Sequence, residues 1–301
     1  MHKKIHPESS PLPTGGLLRF QARATDLVTW LAPTWATLCG VAASGAFNWE
    51  GPQWLRLALL ILLVDGGWGS LWTALAATDW ATPLRRWREW DENRSTAALP
   101  YTLPDAPGGK LSHFVGKLRA WWSQVLWPRC GSALLVIVTA VPIAVLLAIL
   151  LGVELLLLTV AALALMQLGV IWEEGRGTVP PGWDATIAIA LPWLAGHVAF
   201  GPITLPSTGL ACLFALAWGK AWSVTSGWGR TLTVGGQLLA MISLVILQRP
   251  LAAGVLFSVL VPQLTLLPWV RRDYEPRWYV RHARPWLMAA MAVAALAVTA
   301  L

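Results

Sequence analysis

Nine stretches of this chain are each apolar over the length that a helix needs to cross a bilayer. They run over about 28–46, 55–77, 131–151, 153–171, 185–201, 209–226, 231–248, 251–270 and 285–301. At 1.5 Å per residue, roughly 20 residues cover a hydrocarbon layer of about 30 Å. With 56% hydrophobic and only 12% charged residues, a water-soluble domain is excluded, because too little polar surface remains to face water. Prolines stand at several expected boundaries: Pro52 before the second stretch, Pro128 before the third, Pro180 and Pro181 before the fifth, and Pro250 before the eighth. The pattern predicts an all-α integral membrane protein, with one nine-helix domain over residues 27–301. Residues 1–26 lack the apolar core of a signal peptide and read as a flexible tail.

Nine spans put the two termini on opposite sides, and the basic residues choose between the two orientations. With the N-terminus inside, the lysines and arginines cluster before the first span, between the second and third, at Arg176, at Arg230, and between the eighth and ninth. Only Arg56 and Arg249 fall outside, and Lys220 lies within a span. This asymmetry predicts a cytoplasmic N-terminus and an outer C-terminus. It also accounts for the net charge of +7 without nucleic acid, since the charge follows the loops. Cys39, Cys130 and Cys212 lie in or beside apolar stretches with no paired spacing, so neither a zinc site nor a disulfide framework is indicated.

One loop, about 80–129, is long. It opens with Arg85, Arg86, Trp87 and Arg88 and passes a proline-rich turn from Pro100 to Pro107. From Lys110 it resumes with Phe114, Leu118, Trp121, Trp122 and Leu126 at helical spacing. That pattern predicts an amphipathic helix on the membrane surface, its cations drawn to anionic headgroups and its indoles to the interface.

Tryptophan is abundant, at 21 of 301 residues. Many sit at span ends, as in an interfacial belt, but Trp68 and Trp72 in the second span and Trp218 and Trp222 in the sixth do not. A separation of four places each pair on one helix face. Gly66, Gly67 and Gly69 beside the first pair leave room for close packing or for a ligand. Asp65 and Lys220 are charges inside spans, which need a partner or a cavity, whereas Glu154 and His197 fall near the outer surface and are expected to be solvated.

The first span contains Thr29-Trp30, Pro33, Trp35, Cys39-Gly40 and Ala43-Ser44-Gly45. This text resembles the UbiA superfamily of membrane prenyltransferases, and within it the chlorophyll and bacteriochlorophyll synthases. The last span, ending in Val298-Thr299-Ala300-Leu301, resembles the same group. The resemblance implies a nine-helix bundle with cytoplasmic active-site loops, in which two acid-rich runs hold magnesium ions against a prenyl diphosphate. Both runs are eroded here. After Thr78, Asp79 and Trp80 come Ala81-Thr82-Pro83-Leu84-Arg85-Arg86 in place of the first run's further acids. The second run maps onto Gly219 through Leu232, which holds no carboxylate. Magnesium takes hard oxygen ligands, so hydroxyls and a lysine make a poor site.

Two functions follow from the resemblance. The first is a non-catalytic relative that binds a chlorophyll-type pigment, a quinone or a lipid as a structural or assembly subunit among other membrane subunits of a photosynthetic complex. Its ligand-binding candidates are Trp68, Trp72, Asp79, Arg85, Arg86, Arg88, Trp218, Lys220 and Trp222, with no metal. The alternative is an active prenyltransferase that attaches a polyprenyl or phytyl-type chain to an aromatic or tetrapyrrole acceptor. It would use Mg2+ held by Asp79 and a loop carboxylate from Asp91, Glu92 or Asp105.

Overall fold

A computed structural model describes residues 31–48, 50–88, 107–176, 181–272 and 276–299. The tail at 1–26 and the acids Asp91, Glu92 and Asp105 lie outside the described residues. Among those described, regular structure is entirely helical. The elements are α1 (Ala32–Ser44), α2 (Gly51–Ala76), α3 (Ala81–Arg88), α4 (Pro107–Trp121), α5 (Trp127–Leu151), α6 (Val153–Arg176), α7 (Pro181–Ala185), α8 (Leu191–Phe200), α9 (Leu205–Lys220), α10 (Gly227–Ile246), α11 (Pro250–Arg272) and α12 (Pro276–Val298). Five described helices are long and apolar enough to cross a membrane: Gly51–Ala76, Gly108–Leu151, Val153–Trp172, Gly227–Ile246 and Pro250–Val270. The outer face of α5 is apolar, with Leu135, Val138, Leu146, Ile149 and Leu150 exposed, as a surface solvated by lipid should be.

α1 is the inner post of the bundle, and its small residues explain why. A Cβ on Gly40 would collide with the Trp193 carbonyl oxygen of α8, and a Cβ on Gly196 of α8 would collide with the Thr37 carbonyl oxygen of α1. Two glycines facing each other let the backbones touch, which in lipid replaces the missing hydrophobic drive with dispersion contact. On its other side α1 meets α12. The Trp35 indole N–H donates to the Met288 carbonyl at 2.9 Å, and the Thr299 hydroxyl donates to the Ala42 carbonyl at 2.6 Å. Gly45 ends α1 at a φ of 67°, with the Thr299 carbonyl where a side chain would sit, so only glycine fits there. Around this post lies one apolar core containing Trp193, Phe214, Leu244, Leu256 and Met291. A second core, with Leu60, Trp68, Trp72, Leu147 and Met166, joins α2 to α5, α6 and α8.

Three helices carry widened π turns, at Leu62–Gly69, Trp122–Leu126 and Thr186–Ala190. Pro128 and Pro192 stand two residues after the ends of the last two. A proline ring clashes with the carbonyl four residues back, and a wider turn moves that carbonyl aside. The consequence corrects the expected boundary at Pro128: Gly108–Leu151 is one unbroken helix of 44 residues. The segment after Lys110 is therefore joined to α5 without a break in the helical backbone.

Candidate functional site

The two tryptophan pairs sit in different surroundings. Trp68 and Trp72 are buried in the second core, where a Cβ on Gly67 would meet the Ala144 Cβ at 3.2 Å, so this glycine serves close packing of α2 on α5. The Trp72 indole N–H donates to Asp184 Oδ1 of α7 at 2.5 Å, while the Trp68 Nε1, buried at 1% exposure, has no hydrogen-bond partner among the described residues. Trp218 belongs to the first core. The two pairs are thus apart, and Trp222, 38% exposed, belongs to neither core.

At the end of α9 the Arg284 guanidinium of α12 lies over both indoles of the second pair, 5.0 Å from the Trp218 ring centre and 5.1 Å from that of Trp222. Arginine suits this place because its flat, weakly hydrated cation stacks on aromatic faces. Arg284 is buried, and beside it a small cavity is lined by Trp218, Thr233, Gln263, Tyr279 and Leu287. The cavity has inner room for about one water. Gln263 is fixed there by reciprocal amide bonds of 2.9 Å with Gln237 of α10. Lys220, half-buried at the last turn of α9, and Asp65, buried in the π turn of α2, form no ion pair with each other among the described residues.

Asp79 has a structural role. Its Oδ1 accepts the Thr82 backbone N–H at 3.1 Å and its Oδ2 accepts the Thr82 hydroxyl, which closes the free N-terminus of α3. Arg85 and Arg86 are exposed on α3, and Arg88 is the last described residue of that helix. α3 is held by Trp87, whose ring packs edge-on against Phe114 at 6.0 Å and Trp121 at 5.4 Å, and by the Trp121 indole, which donates to the Pro83 carbonyl.

His197 corrects an expectation. It is buried at 2% exposure, not solvated, because polar partners enclose it. Its Nε2–H donates to the Pro202 carbonyl at 2.8 Å, which leaves Nδ1 to accept the Ser207 hydroxyl at 3.1 Å. Ser207 in turn accepts the Trp193 indole N–H at 3.0 Å, so a buried chain of donors and acceptors ties α8 to α9. Glu154 is exposed, as expected.

Asp91, Glu92 and Asp105, the loop acids that a magnesium site with Asp79 would draw on, lie outside the described residues. Among the described residues no three His, Cys, Asp or Glu side chains converge. Where the second acid-rich run would stand, Ser226 is occupied in capping α10 through the Gly229 N–H at 2.9 Å, and the charge over Trp218 and Trp222 is the Arg284 cation. A guanidinium repels a divalent cation, and hydroxyls alone do not hold one. Asp184, Tyr279 and Arg284 were not legible as site residues. Arg284 counts in the sequence as one more basic loop residue before Pro285, and nothing local signals that it folds under two indoles of another helix.

Over 201 residues, 66% of this chain, the sequence is 27% identical to the chloroplast chlorophyll synthase of Avena sativa. The match takes in 47% of that protein, so the chain spans about half the length of the curated relative it matches. No protein-family profile matches the chain, and no solved structure matches it. The likeness is distant, and it agrees with the resemblance carried by the text of α1.

Proposed function

We propose that this is a non-catalytic, UbiA-like membrane protein that holds a pigment, quinone or lipid as a structural or assembly subunit of a photosynthetic membrane complex. The chain crosses the membrane nine times with its N-terminus in the cytoplasm. The observation that supports the reading is the Trp218–Arg284–Trp222 stack: a buried cation with its aromatic faces lies at the stretch onto which the resemblance maps the second acid-rich run. Asp79 is consistent with this, since its carboxylate caps α3.

The guest is held at the perimeter. The cavity beside Arg284 has room for about one water, whereas exposed indoles are plentiful among the described residues. Trp122 and Trp127 stack at 6.3 Å, Trp172 stacks on Trp183 at 6.5 Å, and Trp222 keeps 38% of its surface open. Flat, rigid indoles at the edge of a bundle suit flat rings and isoprenoid chains. Mild-detergent extraction of the protein from its native membrane is expected to bring a pigment, quinone or defined lipid, together with other membrane subunits, in fixed ratio. A ligand-free, solitary chain after such extraction contradicts the proposal.

A further inference from the structure

Asp65 plays no part in the stack at Trp218 and Arg284. It stands near the middle of Gly51–Ala76, one of the helices long and apolar enough to cross a membrane, roughly 16 Å from the Ala76 end and 21 Å from the Gly51 end. It is 8% exposed, and it has neither a hydrogen bond nor an ion pair among the described residues. Headgroups do not reach that depth, and an ionisable group held there needs a partner.

The carboxyl faces a notch in the helix. Asp65 Oδ1 is 3.8 Å from the point where a Cβ on Gly69 would stand, and Gly69 is itself only half-buried. One and two turns on, Thr73 and Ala77 are exposed on the same face, with Ala74 and Ala76 half-buried beside them. No large side chain is open from Gly69 to Ala77, because Leu71, Trp72 and Leu75 are buried in the second core. Small residues spaced by four let two helix backbones approach each other in a membrane. The exposed surfaces of α5 and α6 differ, carrying Leu146, Ile149, Leu157 and Val160.

We infer that this face of α2 docks a transmembrane helix of a different subunit, one that brings a basic side chain to Asp65. Lipid tails offer neither charge nor hydrogen-bond donor, so a bilayer alone leaves the carboxyl unmatched. A second copy that met this face with its own would set acid against acid, which opposes pairing. A flat guest is suited to indoles, and Trp68 and Trp72 are turned inward. Within the chain, Lys220 is not paired with Asp65. A helix that carries a cation satisfies both features: the small face admits its backbone, and the notch at Gly69 admits its side chain. This rests on the assembly reading above and names the surface by which assembly proceeds.

The test places a photo-crosslinking amino acid at Ala77, with Val138 on the outer face of α5 as the control, in the full-length protein in its native membrane. The expected result is a crosslink from Ala77, and not from Val138, to an apolar span of one other polypeptide, and that span carries a lysine or an arginine. Thr73→Leu, which obstructs the face, and Asp65→Asn, which removes the charge, each lower the yield about fivefold. The Thr73 hydroxyl only bonds back to the Gly69 carbonyl at an exposed position, so Thr73→Leu should keep the parent's unfolding midpoint and act on docking alone. Crosslinks to lipid or pigment alone, to a second copy, or to another segment of the same chain overturn the inference. So does a captured span without a basic residue, or a yield indifferent to either substitution. If those results come while pigment and subunits still co-extract, this face is wrong and the assembly reading stands; if no other subunit co-extracts, both fall.

Discussion

Gly40→Ala is expected to destabilise the bundle by about 3 kcal/mol or more, and to lower its thermal midpoint by roughly 5–10 °C. The added methyl meets the Trp193 carbonyl, a backbone atom inside a helix, so no rotamer change relieves the clash and α1 must part from α8. Gly196→Ala strikes the Thr37 carbonyl at the same crossing and should cost a similar amount. The double variant should cost less than the sum, because one separation of the helices relieves both contacts. Gly209→Ala is the control: nothing lies within 4 Å of its would-be Cβ, so alanine should be neutral or, by helix propensity, stabilising by up to about 1 kcal/mol. Unfolding midpoints in a fixed detergent decide the matter, and a Gly40→Ala midpoint equal to that of Gly209→Ala contradicts the crossing.

Ser207→Ala is the second large effect. The hydroxyl both accepts the Trp193 N–H and donates to His197 Nδ1, and Trp193, His197 and Ser207 are all buried. Its removal strands a donor and an acceptor together. At about 1–3 kcal/mol for each unsatisfied buried group, a loss of roughly 2–6 kcal/mol is expected. Thr208→Ala next to it removes a hydroxyl that only bonds back to the Thr204 carbonyl, at an exposed position, and should stay within about 0.5 kcal/mol of the parent. Equal midpoints for the two variants would show that the Trp193–Ser207–His197 chain carries no stability.

What the sequence made legible follows from the range of the forces involved. Apolar stretches of membrane length become helices because lipid forbids unsatisfied backbone, and that rule is local. The text of α1 was legible as a resemblance, and several of its residues prove to be contact points in the fold. Gly40 lets α8 approach, Gly45 makes the left-handed end of α1, and Trp35 bonds to α12. Proline misled at Pro128, because its breaking effect assumes an α turn before it, whereas a π turn at Trp122–Leu126 absorbs the ring. His197 misled for the opposite reason. Its depth alone suggested water, but its partners Pro202 and Ser207 arrive from across a turn, and such pairing has no signature in spacing. Arg284 and Asp184 reach their indoles from 62 and 112 residues away along the chain, at Trp222 and Trp72, beyond any periodicity.

A prenyltransferase needs an acidic cage for diphosphate at the ends of α2 and α9, and a non-catalytic chain does without one. The direct measurement is diphosphate release from a polyprenyl or phytyl diphosphate, with an aromatic or tetrapyrrole acceptor, across a magnesium titration, for the parent protein and for Asp79→Ala. Release is expected to stay at background for both proteins at every magnesium concentration, with Asp79→Ala showing only the loss of a helix cap, about 1 kcal/mol in stability. Release that rises with magnesium and disappears in Asp79→Ala would contradict a non-catalytic role.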